Sequence, residues 1–150
     1  MKGRVLAWGL GLALLAALVF QVDRARDRLR AQTVLKTIQV VSGQMLASGR
    51  VVPRLLWRHV RLLEQAERWD PSEAALPLAR GSQYLLLDRP DEAVEAYTRA
   101  LALEPRPETH LNLGRAHARR GDDAAAREHF RTAIRLAPPL RRQVPREYRR

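Results

Sequence analysis

Asp91-Glu92-Ala93-Val94-Glu95-Ala96-Tyr97-Thr98-Arg99-Ala100-Leu101-Ala102-Leu103-Glu104-Pro105 decides the fold, because its pattern returns without a gap in the stretch that ends at Pro138. Ala93 matches Ala126, Tyr97 matches Phe130, Ala100 matches Ala133, Leu103 matches Leu136 and Pro105 matches Pro138. Upstream, Gly81 matches Gly114 at the same 33-residue spacing. Self-similarity at a fixed period of this length marks a stacked-repeat fold. The residue types suit antiparallel helix hairpins. Glycine and alanine at matched places let two helices approach, the ring at Tyr97 or Phe130 fills the gap between one hairpin and the next, and each proline stops its helix.

Two units, 74–106 and 107–139, resemble the tetratricopeptide repeat, whose pattern is W-x2-L-G-x2-Y, then A-x3-F, then P. The later unit supplies His110, Leu113, Gly114 and His117, then Ala126, Phe130 and Pro138. The earlier supplies Pro77, Arg80, Gly81 and Tyr84, then Ala93, Tyr97 and Pro105. Both depart at the first large position, and the period falls one residue short of the family's roughly 34 through the Arg106-Pro107 link. His110 and His117 thus occupy slots where the resemblance implies an aromatic, which makes them packing residues.

A step of about 34 residues back from Pro105, Ala100, Tyr97 and Gly81 reaches Pro71, Ala66, Leu63 and Ala47. That predicts a degenerate helical hairpin over 33–73, with helices near 33–48 and 54–69 and His59 in the small-residue slot. Three units are about what a solenoid needs to bury its core. Asp70-Pro71-Ser72-Glu73 reads as a helix start with Asp70 as N-cap, and Asp88-Arg89-Pro90 and Gly121-Asp122 start the second helices of the two units. Residues 140–150 read as a basic C-terminal tail, a frayed cap or unstructured.

The N-terminus reads differently. After a short tail, 1–4, an unbroken apolar run extends from Val5 to Phe20, with Val22 beyond Gln21. At ~1.5 Å per residue, a helix over 5–22 spans roughly 27 Å, near the thickness of a bilayer's hydrocarbon core. Trp8 suits one interface, and Arg24 and Arg26 can reach back to the other. A cleaved signal peptide would end in small residues, whereas this run ends Leu18-Val19-Phe20-Gln21-Val22-Asp23, bulky and then charged. The expectation is an uncleaved transmembrane signal anchor over 5–22, then a basic juxtamembrane linker over 23–32. Lys2 and Arg4 favour a cytoplasmic N-terminus, while Arg24, Arg26, Arg28 and Arg30 favour the reverse. The leader's short basic segment before an apolar one tips the expectation towards a domain exported across a bacterial inner membrane. The expected fold is all-α: a transmembrane helix followed by a short α-solenoid.

The formal charge of +11 is unevenly placed. Residues 24–61 hold nine Lys/Arg and residues 135–150 hold six against one acid, whereas 62–134 holds ten against thirteen. An excess beside an apolar segment suits anionic lipid headgroups near 24–61 better than a nucleic-acid surface. Lipid or nucleic-acid binding through these arginines is the alternative function. With no cysteine, disulfides, thiolate metal sites and cysteine nucleophiles are excluded. No glycine-rich phosphate loop, G-x-S-x-G elbow or H-E-x-x-H occurs. His110, His117 and His129 are the only group resembling a metal site, and their spacing alone supplies no geometry. No catalysis, metal or cofactor is expected.

The resemblance implies a protein partner on a concave face lined by the first helix of each hairpin. Carried over by position, that face takes Leu78, Ser82, Leu85 and Leu86 from one unit. From the next it takes Glu108, Leu111, Asn112, Arg115 and Arg119. Asn112 suits a peptide backbone and the two arginines suit a carboxylate. The basic pattern that captures C-terminal carboxylates in some members is not reproduced. The expected role is a membrane-anchored scaffold or assembly subunit of a bacterial envelope complex.

Overall fold

Proline opens three helices, at Pro53, Pro90 and Pro107, where its missing N–H is one the first turn leaves unpaired anyway. The computed structural model describes the backbone of residues 2–149 and the side chains of residue 12 and residues 14–149. Six α-helices run in order: α1 Lys2–Ser48, α2 Pro53–Trp69, α3 Ala75–Leu86, α4 Pro90–Leu103, α5 Pro107–Arg120 and α6 Asp123–Leu136. Two 3₁₀ turns follow, Pro138–Gln143 and Arg146–Tyr148, and no strand occurs among the described residues. The helices pair as three hairpins, α1–α2, α3–α4 and α5–α6, and each even helix also packs on the next odd one. Because α1 lies on α3 and α3 on α5, the odd helices form the inner wall of a short α-solenoid.

Glycine and ring set the approach inside each of the last two hairpins. A Cβ on Gly81 would fall 2.6 Å from Tyr97 Cε1, and one on Gly114 would fall 2.6 Å from Phe130 Cδ1. Neither ring has room to retreat. Tyr97 also packs with Leu113 and Ala116 of the next hairpin, and Phe130 with Leu140, Val144 and Tyr148 beyond α6. The backbone repeats as well: Asp88 (φ +58°) and Gly121 (φ +83°), 33 residues apart, both take the left-handed conformation that ends an odd helix. A buried carboxylate ties three helices. Glu67 of α2 accepts from Arg80 of α3 at 2.7 Å and lies 3.5 Å from Arg99 of α4.

Four features depart from the expectations above. Residues 23–32, expected as a linker, are helical and continue α1. Their charges support the helix locally, since Asp23 pairs with Arg26 at 3.5 Å and Asp27 with Arg30 at 3.1 Å, each one turn apart. Second, Ala47 is exposed and does not fill a glycine slot. The first hairpin is sealed by Ala31, Leu35 and Ile38 of α1 against Leu63 and Ala66 of α2. Third, Asp70–Glu73 is a turn; the N-cap of α3 is Ala74, the Glu73 carboxylate before it accepts from Ala75 N–H at 3.0 Å, and Asp70 instead accepts from the Ser72 hydroxyl. Fourth, the residues after Pro139 are folded. Leu140, Val144 and Tyr148 are buried, and the Tyr148 and Phe130 rings lie 5.1 Å apart. An otherwise open apolar face of α5–α6 explains why so basic a segment folds back.

Candidate functional site

On α3, positions 75, 78, 79 and 82 share one face at helical spacing, and on α1 positions 39, 43 and 46 do the same. These faces meet across a cleft of about 320 Å³ on the inner wall. Ile38, Gln39, Ser42, Gly43 and Leu46 line it from α1, Leu78, Ala79, Ser82 and Gln83 from α3, and Asn112 from α5. A volume near the low end of ligand clefts, roughly 300–1,000 Å³, suits part of a peptide better than a large cofactor.

Of the nine residues carried onto this face by position, the structure brings Leu78, Ser82 and Asn112 to the cleft. Leu85 and Leu86 are half-buried, Leu85 packing against the core around Tyr97. Glu108 is exposed and outside the lining. Leu111 faces the wrong way: it is 2% exposed and packs with Phe130 and Ala133. Arg115 donates to Asn112 Oδ1 at 3.1 Å and reaches Gln143 Oε1 at 3.4 Å. Arg119 donates to the Leu85 carbonyl at 3.0 Å and lies 3.5 Å from Asp88. In this structure both arginines bond to the protein's own groups. Position-by-position transfer also missed the α1 side of the cleft. The 3–4 spacing of Gln39, Ser42, Gly43 and Leu46 was the available signal.

Hydrogen bonds behind the cleft hold its wall. Gln83, 2% exposed, sets its side-chain amide 3.3 Å from the Ser42 hydroxyl and 3.2 Å from His59 Nδ1, so one residue ties α1, α2 and α3. Gln83→Leu is expected to cost about 1–3 kcal/mol in urea unfolding, because His59 is left buried without its partner. Ser82 bonds the Tyr97 hydroxyl at 3.2 Å, and burial pushes that phenol up to about 12, so it stays neutral. Phe130, matched to Tyr97, has no hydroxyl, and its neighbour on α5 at the Ser82-equivalent place is Arg115.

The three histidines do meet. His110 and His129 face each other, Nδ1 to Nδ1, at 3.1 Å, and the His117 ring stacks on His129 at 5.3 Å. Among the described residues no group of three or more His, Cys, Asp or Glu is placed to hold a metal ion. Burial, then Arg135, holds His110 below the usual imidazole range. Burial, then His117 and His110, does the same for His129 against a smaller opposing pull from Glu128. Arg120 and Asp122 flank His117 at 3.2 and 3.4 Å. A depressed folded pKa means the unfolded chain binds the proton more readily. Stability from this cluster is therefore complete above about pH 6.5 and declines as pH falls below it. The urea midpoint is expected to drop between pH 7.5 and pH 5 and to do so less in His129→Gln.

At the N-terminus, Trp8 lies outside the residues whose side chains are described, as do residues 5–11 and 13 of the apolar run. Among the described residues no helix is long and apolar enough to cross a membrane. Leu12, Leu14, Leu15, Leu18 and Phe20 are all more than half exposed on α1. The Arg24 guanidinium sits 5.7 Å over the Phe20 ring, and Arg26 pairs with Asp23.

Stacked hairpins with a cleft on the inner wall define a helical-repeat solenoid. A tetratricopeptide-repeat profile matches residues 78–140. Over that stretch the chain is similar to the tetratricopeptide-repeat family. Its fold is similar to the second such domain of Spaghetti (RPAP3) bound to the HSP90 peptide SRMEEVD, with 19% identity, TM-score 0.63, and 75% of this chain and 96% of that one covered. It is similar to PcrH in complex with the chaperone-binding region of PopD, at 16% identity and TM-score 0.58, over 72% of this chain and 78% of that one. A thermophilic tetratricopeptide-repeat protein of Thermus thermophilus is 26% identical, with TM-score 0.57 over 90% of this chain and 73% of that one. No curated protein matches the sequence.

Proposed function

We propose that the chain is a scaffold or assembly subunit of a bacterial envelope complex, holding a protein partner in the cleft between α1, α3 and α5. The observation that carries this is the cleft itself, an inner wall with apolar floor and neutral hydrogen-bonding side chains, on a fold similar to one bound to a peptide and to one in complex with a chaperone-binding region. The role is binding and not catalysis. Leu46→Arg tests it: Leu46 is 62% exposed at the rim, so a long charged side chain there obstructs the cleft without disturbing the core. Partner recovery from detergent extract is expected to fall sharply while helical content is unchanged. Equal recovery sinks the proposal.

The apolar start of α1 is proposed as the membrane anchor, with the repeat module on the exported side of the inner membrane. What supports it is the run from Val5 to Phe20 and its continuation as helix into the first hairpin. The full chain should resist carbonate extraction and a chain lacking residues 2–22 should be released; release of both would remove the anchor. The alternative, lipid or nucleic-acid binding by the 24–61 arginines, draws less support, since Arg26 and Arg30 each face a carboxylate within 3.5 Å and Arg28 lies 4.0 Å from Asp70.

A further inference from the structure

Resting on the proposed use of the inner cleft, we infer the chemistry of its occupant: an uncharged polypeptide segment with small apolar side chains, gripped by its backbone. The chain carries a formal charge of +11, yet no residue lining the cleft is charged. The two arginines nearest it on α5 are committed, Arg115 to Asn112 and Gln143, and Arg119 to the Leu85 carbonyl and Asp88. Lys36, one turn before Gln39 on α1, stands outside the lining. An acidic segment would lose its hydration over this floor, and the cation beside it, Arg115, is already bonded to Asn112 and Gln143. A basic one would meet the same floor and find no carboxylate in the lining. A peptide such as SRMEEVD, bound by one structural neighbour, carries carboxylates that the uncharged lining does not match.

What the cleft offers instead is an apolar floor between two amides. Ile38, Leu78 and Ala79 supply the floor, with Gln39 on the α1 side and Asn112 on the α5 side. Because Arg115 occupies Asn112 Oδ1, the Asn112 NH2 is left to donate into the cleft. Gln39 can both donate and accept, which suits the carbonyl and N–H of a backbone. Gly43 keeps the α1 side low: a Cβ there would meet nothing within 4 Å. That makes Gly43→Phe a plug whose Cβ enters open space and whose ring obstructs the α1 side of the cleft.

The test is selection from a bead-bound library of short random peptides by the full chain in detergent, repeated with Gly43→Phe and with Glu95→Phe on the exposed face of α4. Circular dichroism melting of both variants confirms folding. The expected winners are near-neutral sequences rich in alanine, valine and leucine, bound on the order of tenfold more weakly by Gly43→Phe and unchanged by Glu95→Phe. Enrichment of acidic or basic sequences that Gly43→Phe still abolishes overturns the inferred chemistry but leaves the cleft as the site. Winners indifferent to Gly43→Phe, or no enrichment at all, overturn the cleft itself and the inference with it.

Discussion

Phe130→Ala is expected to lower stability by about 3–5 kcal/mol, a large part of the total for a domain of this size. The ring is fully buried and stands on Gly114, where the helices of the last hairpin cross. It is also the floor on which Leu140, Val144 and Tyr148 close the end of the stack. Its loss leaves a cavity that the rigid hairpin cannot collapse. In a linear array the damage should be local, because each hairpin leans mainly on its neighbours. Hydrogen exchange should then show α5, α6 and the residues beyond losing protection while α2 and α3 keep theirs. A loss below about 1 kcal/mol would mean that Phe130 does not join hairpin and cap in this way.

The second large effect separates two helical glycines by sign. Alanine favours a helix over glycine by about 1 kcal/mol, so on propensity alone both substitutions stabilise. Gly81→Ala should nevertheless destabilise, by about 1–3 kcal/mol net, because the new methyl lies 2.6 Å from a Tyr97 ring that is itself 1% exposed and cannot move aside. Gly43→Ala should raise stability by up to about 1 kcal/mol, since it enters open space. Thermal melts of the two variants decide the matter, and shifts in the same direction would contradict the packing described for Gly81. A partial rescue of Gly81→Ala by Tyr97→Leu would locate the clash in the ring.

The same contact explains why the fold was legible. A glycine that must face a ring sixteen residues on, as in Gly81 with Tyr97 and Gly114 with Phe130, leaves two constrained positions per hairpin, and their recurrence needs no structure to be noticed. The first hairpin carries no such pair. It is closed by Ala31, Leu35 and Ile38 at ordinary helical spacing, so a step back along the repeat arrived at the exposed Ala47. The charges of 23–32 suggested a linker because composition does not show that acids and arginines fall one turn apart on a continuing helix.

The cleft was only partly legible, for a physical reason. Position within the repeat identifies the inner face, which is how Leu78, Ser82 and Asn112 could be named. It does not reveal where the chain turns back on itself. The folded segment after Pro139 buries Leu111 beneath it and reaches Arg115 through Gln143, and Arg119 is held by the end of α3. Six basic residues against one acid in 135–150 concealed the three apolar side chains, Leu140, Val144 and Tyr148, that make the cap.

Site-specific photocrosslinking asks directly whether the inner wall receives the partner. A photoreactive amino acid at Gln39 or at Leu46, both exposed beside the cleft, should yield partner adducts in membranes containing the full chain, and one at Glu95 on α4 should yield none. Adducts from Glu95 with none from positions 39 and 46 would place the partner on the outer surface and contradict the account.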